Sequence, residues 1–190
     1  MSQDLNLSIS KSSTNTSLSD NIIYINEKLI KNISLILEKV IKLNRNRFKR
    51  DKNIFNCGNI PNISLYNYLY RIKKYSKIYD NTLILSLIYI DRICSTNKIL
   101  INYYNVHKIL LASIVSAIKF NEDNYYSNSF YSKIGGITSN ELELLEMEFA
   151  SIINFKFFVK KSLFDKYYRY INNDYIFENI NHSSNIYEEN

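Results

Sequence analysis

Four charged residues, Arg71, Asp91, Lys119 and Glu146, stand in stretches whose other residues are mostly apolar. Asp91 lies four residues after Leu87 and seven after Ile84, and Glu146 lies four after Leu142, three before Phe149 and seven before Ile153. At helical spacing both carboxylates therefore share a face with packed side chains. A carboxylate withdrawn from water needs a cation or a set of hydrogen-bond donors to offset its desolvation. For Asp91 the natural partner is Arg71, in the stretch just before it, and that pair would be structural. For Glu146 the plain reading is an internal salt bridge, and for Lys119, at the exit of the most apolar stretch of the chain, a favourable interaction with the helix dipole; the alternative for both is a functional site.

Chemistry of other kinds finds little material. His107 and His182 cannot form a metal site with Cys57 and Cys94, whose positions have no metal-ligand spacing, and no Ser/His/Asp or Cys/His grouping is visible. His107, close to a helix start, is expected to pack or cap. The neighbouring carboxylates Glu122 and Asp123, and Glu141 and Glu143, fall where solvent exposure is expected. No catalytic residue, metal or cofactor is expected. With three Gly and one Pro in 190 residues there is no glycine-rich phosphate loop, and too few turn residues for a sandwich of short strands. The net charge of +6 permits nucleic-acid binding. Asn, Ile, Lys and Tyr all have A/T-built codons, however, so codon bias accounts for much of the lysine and nucleic acid is not the expected partner. The two cysteines read as reduced thiols. No stretch approaches the ~20 apolar residues of a membrane span, and the expectation is a soluble chain in the nucleus or cytoplasm.

The elements that must position these residues are helices. Asn105 to Phe120 is the centre, because Val106, Ile109, Leu110, Leu111, Ala112, Ile114, Val115, Ala117 and Ile118 point round the whole circumference. A helix apolar on all sides has to be wrapped by others, and Ala112, Ser113, Ser116 and Ala117 let them come close. Before it, residues 1–20 form a polar tail that should stay loose. An amphipathic helix follows from Asn21 to Leu43, capped by Asp20 or Asn21, and then a basic linker from Lys42 to Lys52. That linker reads as solvated chain, a nuclear-import address or a phosphate-contacting patch. Pro61 precedes a helix from about Ser64 to Tyr75, and Asp80, Asn81 and Thr82 cap another from Leu83 to Thr96. After the central helix, a short one from Asn128 to Ile134 stops at Gly135 and Gly136. Thr138 and Glu141 form a capping box opening a helix to about Asn154. Phe155 to Val159 reads as extended, Ser162 to Ile171 as a last helix, and residues 174–190 as an acidic tail.

Several motifs, in order, resemble one family. Arg71, Tyr-Ile-Asp-Arg at 89 to 92, Ala-Ile-Lys-Phe at 117 to 120, and Leu145 and Glu146 with Phe149 are similar to the landmarks of a cyclin box. Pro61 to Tyr75, Asn105-Val-His-Lys, Tyr131-Ser-Lys-Ile-Gly-Gly-Ile and Glu141-Leu-Glu-Leu-Leu-Glu resemble the P/U-type cyclins of the phosphate-regulation group. The resemblance covers roughly residues 60 to 170. It implies an all-α fold, a single five-helix cyclin box at 60–173 around its buried third helix, with the Asn21 to Leu43 helix of the 21–59 region docking outside it and a further helix on the C-terminal side.

The resemblance also implies a function: a non-catalytic regulatory subunit that binds and activates a cyclin-dependent serine/threonine kinase by positioning its C-helix. The alternative is a cyclin-fold transcription or scaffold protein without kinase activation. By position, Arg71 and Asp91 match the family's buried ion pair, and Lys119 and Glu146, with Phe120 and Phe149, match its kinase-contacting residues. As partner contacts, Lys119 and Glu146 would each be removable at less than about 1 kcal/mol of stability. Lys74 and Lys77 stand three and six positions beyond Arg71, where cell-cycle cyclins carry an apolar docking patch. Recruitment of apolar motifs through that patch is therefore not expected.

Overall fold

The computed structural model describes residues 25–47 and 53–173. Among these there are seven α-helices and no strand: α1 (Glu27–Asn44), followed by a 3-10 turn at Arg45–Arg47, α2 (Leu65–Ser76), α3 (Asp80–Thr96), α4 (Val106–Asn121), α5 (Asn128–Gly135), α6 (Ser139–Ile152) and α7 (Lys161–Ile171). The all-helical expectation is met. The expected tails, 1–20 and 174–190, and residues 48–52 of the basic linker lie outside the described residues.

The helix expected at the centre is there. From Val106 to Ile118 every residue but Lys108 is buried, and α3, α5 and α6 pack round it. Small side chains permit the approach. Gly135, at the end of α5, comes so close to α4 that an added Cβ would lie 2.2 Å from Leu111 Cδ2. Outside this inner set, α1 packs on α2 and α7, and α7 lies on α3. Leu29, Ile30, Ile33, Leu37 and Ile41 of α1 belong to the same continuous core as α4, as does Phe55 from the linker.

The helix ends follow the cap chemistry at α2 and α5, with three departures. The first is α3, which starts at Asp80 behind Tyr79 with no side-chain cap bond, so that Asp80, Asn81 and Thr82 lie inside the helix they were expected to cap. Ser64 and Thr138 accept hydrogen bonds from the amides of Asn67 (3.2 Å) and Glu141 (3.1 Å), and Gly136 closes α5 at φ 76°. Asn26, rather than Asp20 or Asn21, caps α1, accepting from the Leu29 amide at 3.0 Å. The Glu141 carboxylate does not complete a capping box. It pairs with Lys108 at 2.8 Å, and that lysine also reaches the Asn56 carbonyl at 3.3 Å. This ties the linker and the start of α6 to the first turn of α4.

The expected ion pair between Arg71 and Asp91 does not form. Helix α2 turns Arg71 toward Tyr68 and the α5 terminus. Asp91 is exposed on α3, where it faces α7 and takes a hydrogen bond from the Tyr167 side chain, one of the causes that raise the Tyr167 pKa after burial itself. Because α3 is apolar on nearly all sides, spacing from Leu87 and Ile84 could not say which neighbour Asp91 would meet. The buried pair belongs to Lys73 and Asp80, 2.9 Å apart, with the Lys73 side chain 5% exposed and that of Asp80 37%. Lys73 also donates to the Ile78 carbonyl, and Asp80 accepts from Asn26 at 2.9 Å. One carboxylate thus joins the start of α1, the end of α2 and the start of α3.

Two substitutions separate these assignments. Asp80→Ala strands a buried ammonium and should lower unfolding free energy by about 2 to 4 kcal/mol, short of the full ~3 to 5 for a buried pair because Asp80 is partly solvated. Asp91→Ala should cost less than about 1 kcal/mol. Urea melts give both values, and a larger loss for Asp91 would reverse the assignment.

Candidate functional site

Lys119 leaves the core at the last turn of α4, where the helix emerges between α5 and α6. Its ammonium lies 2.9 Å from both carboxylate oxygens of Glu146 on α6, and donates to Asn128 Oδ1 at 2.6 Å. Asn128, the first residue of α5, donates in turn to Glu146 Oε2 at 2.8 Å. Three helices therefore meet in one closed polar triangle. The Glu146 side chain is 13% exposed and that of Lys119 32%. The carboxylate is accordingly satisfied from inside the molecule, while one side of the ammonium looks outward.

This geometry merges the two alternatives for Glu146. The internal salt bridge exists, and it also borders an open groove lined by Phe120, Met147, Phe155 and Phe157. The expectation that either charge could be removed without loss of stability does not survive the geometry, since truncating Lys119 leaves a nearly buried carboxylate with only Asn128 for company. Asn128 went unnoticed in the sequence because a first-turn Asn reads as an ordinary cap-region residue.

The aromatic residues around the triangle divide sharply. Phe120 is 53% exposed, Phe155 71%, Phe158 72% and Met147 64%. Phe149 is wholly buried. Its match to the family's partner-contacting residues is thus corrected: it faces the core and holds α6 in place, and no partner reaches it. The exposed residues come partly from the segment after α6, where Asn154 and Phe155 both adopt left-handed angles, φ 53° and 54°. Such angles are unfavourable for a bulky side chain. The Phe155 amide bond to the Ala150 carbonyl (2.8 Å) holds the turn.

What keeps this segment against the box is the Tyr-Ile-Asp-Arg motif of α3. The Tyr89 hydroxyl donates to the Phe157 carbonyl at 2.8 Å and accepts from Asn121 at 3.3 Å. Arg92 donates through Nη1 to the Lys156 carbonyl and through Nη2 to the Phe158 carbonyl at 3.0 Å. The Arg92 guanidinium also lies over the Tyr89 ring, 5.6 Å from its centroid. The Phe157 ring meets Tyr89 edge-on at 5.4 Å between centroids and lies tilted by 35° against Phe120 at 5.5 Å. Backbone that forms no helix or strand from Lys156 to Lys160 thus receives three side-chain donors from one helix.

The sequence profile of the Cyclin family matches residues 27–157. The chain belongs to the cyclin family. Among its relatives, Cyclin-U2-2 of Arabidopsis thaliana is 39% identical over 115 residues, covering 60% of this chain and 50% of the relative. Cyclin-U4-1 of the same plant is 33% identical over 150 residues, covering 76% and 74%. The PHO85 cyclin-like protein psl1 of Schizosaccharomyces pombe is 34% identical over 150 residues, covering 70% and 62%. The resemblance to P/U-type cyclins is borne out. This cyclin spans about half the length of the two U2-type relatives. Among its described residues, no three His, Cys, Asp or Glu side chains gather as a metal site would need, and no helix is long and apolar enough to cross a membrane.

The division between the two phenylalanines is measurable. Phe149→Ala should cost about 3 to 5 kcal/mol by opening a core cavity, and Phe120→Ala, at a half-exposed position, less than about 1 kcal/mol. Chemical melts of the two variants side by side give the comparison, and equal losses would contradict the burial.

Proposed function

We propose that this cyclin is the regulatory subunit of a cyclin-dependent serine/threonine protein kinase, and that it activates the kinase by seating the kinase C-helix against the groove beside Lys119 and Glu146. The observation that carries the reading is the juxtaposition of a pre-formed charged triangle with four large exposed apolar side chains, Phe120, Met147, Phe155 and Phe158. A solvated surface has no use for such a cluster, whereas a protein interface is built around apolar anchors beside a few oriented polar groups. The family membership, and the relative whose name places it among PHO85 cyclin-like proteins, support the same reading.

The mechanism is allosteric. A kinase of this class on its own holds its C-helix away from the position that completes its Lys–Glu pair and aligns the ATP phosphates. A rigid helical face that fits only the inward C-helix binds that state better, and so shifts the population toward it. Phe120, Phe155 and Phe158 supply apolar contact area, and the outward side of the Lys119 ammonium supplies a donor for a backbone carbonyl at the end of the incoming helix. The chemistry of phosphoryl transfer stays with the kinase.

The test separates folding from binding. Capture of kinases on the immobilised cyclin, followed by a histone-type phosphorylation assay, identifies the partner. Phe155→Ala should then melt within about 1 kcal/mol of the parent, because its ring is mostly in solvent, yet bind the captured kinase at least ~30-fold more weakly if it is an interface anchor. Lys119→Ala should lose both stability and activation. Normal activation by Phe155→Ala together with Phe120→Ala would reject this face as the kinase contact, and binding without any rise in phosphorylation would favour a scaffold.

A further inference from the structure

Helices α1 and α3 meet mainly through α7, which packs on both. Of the α7 side chains only Ile171 is buried, and Leu163, Phe164 and Tyr167 lie half-buried against the core. The Ile171 carbonyl accepts from Asn32 Nδ2 of α1 at 2.7 Å, which fixes the far end of α7. Under this helix a half-enclosed cavity of about 370 Å³ remains. Its walls are Ile36, Leu37 and Val40 of α1 and Leu87, Ile90 and Cys94 of α3. Burial, with the Asp91 charge nearby, pushes the Cys94 thiol up to about 11, so it stays protonated at neutral pH and belongs with the apolar wall. Protein interiors fill such space with side chains. A slot of this volume lies instead in the range that small organic molecules occupy.

The polar groups stand where the cavity meets solvent. Asp91, Lys166 and Tyr170 all line it and all are exposed, and Tyr167 is half-buried. The Asp91 carboxylate takes the hydrogen bond from Tyr167 and, among the described residues, no ion pair. Its neighbour Arg92 is engaged with the carbonyls of Lys156 and Phe158. Asp91 is thus held in direction by a phenol without being neutralised. Two tyrosine rings at the same end attract a cation through their faces. Lys166 is the opposing charge, but its long exposed side chain can extend into water, whereas the Asp91 carboxylate is short and tethered. Lys119, Glu146 and the exposed phenylalanines of the groove take no part in these walls.

We propose that this cavity binds a small organic amine, its aryl or alkyl body inserted between α1 and α3 under α7 and its ammonium paired with Asp91 at the mouth, beside Tyr167 and Tyr170. The apolar walls suit a hydrocarbon body of modest size. A peptide segment suits them less, because its backbone would bring unpaired amides against a surface with no hydrogen-bonding groups. An anion of the same shape would meet the Asp91 charge. A bound amine touches all three helices and so ties α7 to the box. The proposal needs only the free chain and stands apart from the kinase reading.

The probes are phenylbutylamine, phenylbutanol and phenylbutanoate, one shape carrying a positive, a neutral and a negative end, titrated calorimetrically into the full chain at neutral pH. The amine should bind with a Kd below about 1 mM, the alcohol about fivefold more weakly and the anion more weakly still. Asp91→Asn should bring the amine down to the affinity of the alcohol and leave the alcohol unchanged. Asp123→Asn, at an exposed carboxylate outside the cavity, should change neither. Val40→Phe, which fills the slot, should abolish binding of amine and alcohol alike. Asp91 is exposed, so its variant reads the site even where Val40→Phe folds poorly. Saturating amine should also slow alkylation of Cys94 by iodoacetamide while leaving Cys57 unaffected. No amine binding below about 1 mM, tighter binding of phenylbutanoate, which would make Lys166 the recognising group, or amine binding unmoved by Asp91→Asn would each overturn the proposal.

Discussion

Everything in this molecule is arranged by the need to bury α4 on every side. An apolar helix of sixteen residues has no solvent-facing stripe, so other helices must enclose it, and charged groups belong to it only near its ends. That constraint explains why the two charge clusters of interest sit where they do. At the entry, Lys108 and His107 meet Glu141, the linker carbonyls and Tyr68. At the exit, Lys119 meets Asn128 and Glu146. In both places the helix end supplies a cation or an imidazole, and the helices that wrap it supply the partners.

Much of this was legible in the residues, and the reasons differ by element. The centre could be read because a run with no polar face is unambiguous. The ends of α2, α5 and α6 could be read because Ser64, Gly136 and Thr138 act through local bonds that sequence spacing determines. What could not be read were pairings across helices. Periodicity places Asp91 on a packed helix but not against a chosen neighbour, and it gave Arg71 a partner that lies on the wrong side of α3. Lys73, which does hold a buried carboxylate, sits in a run of two lysines beside tyrosine and reads as a solvated face. Phe149 and Phe120 have the same side chain and matched equally well to partner-contacting positions. Only the packing of α6 reveals that one is core and the other surface.

The Tyr-Ile-Asp-Arg motif shows how a family landmark can be right in place and wrong in reason. Its obvious carboxylate is exposed, and the binding is done by its flanks. Tyr89 and Arg92 hold the carbonyls of three consecutive residues after α6, Lys156, Phe157 and Phe158, and so decide where Phe155, Phe157 and Phe158 lie relative to Phe120. Phe155 is held at a left-handed angle that its side chain disfavours. A segment without regular structure is normally the most mobile part of a domain. Here its carbonyls are held by the motif, and the burial of Tyr89 holds the motif in turn.

The charged triangle at the exit of α4 follows the same logic in energetic terms. Had Glu146 been left for a partner to neutralise, the free chain would carry an unpaired, nearly buried carboxylate, and binding would have to order it. With Lys119 and Asn128 already in place, the desolvation of Glu146 is offset during folding, and the ammonium keeps a fixed direction. Association then needs little reorganisation of these side chains, which is the condition under which a modest polar contact beside apolar anchors contributes to affinity and register. The cost appears in the folded state, since under the proposed function the three side chains that stabilise the fold would also be the ones that meet the partner.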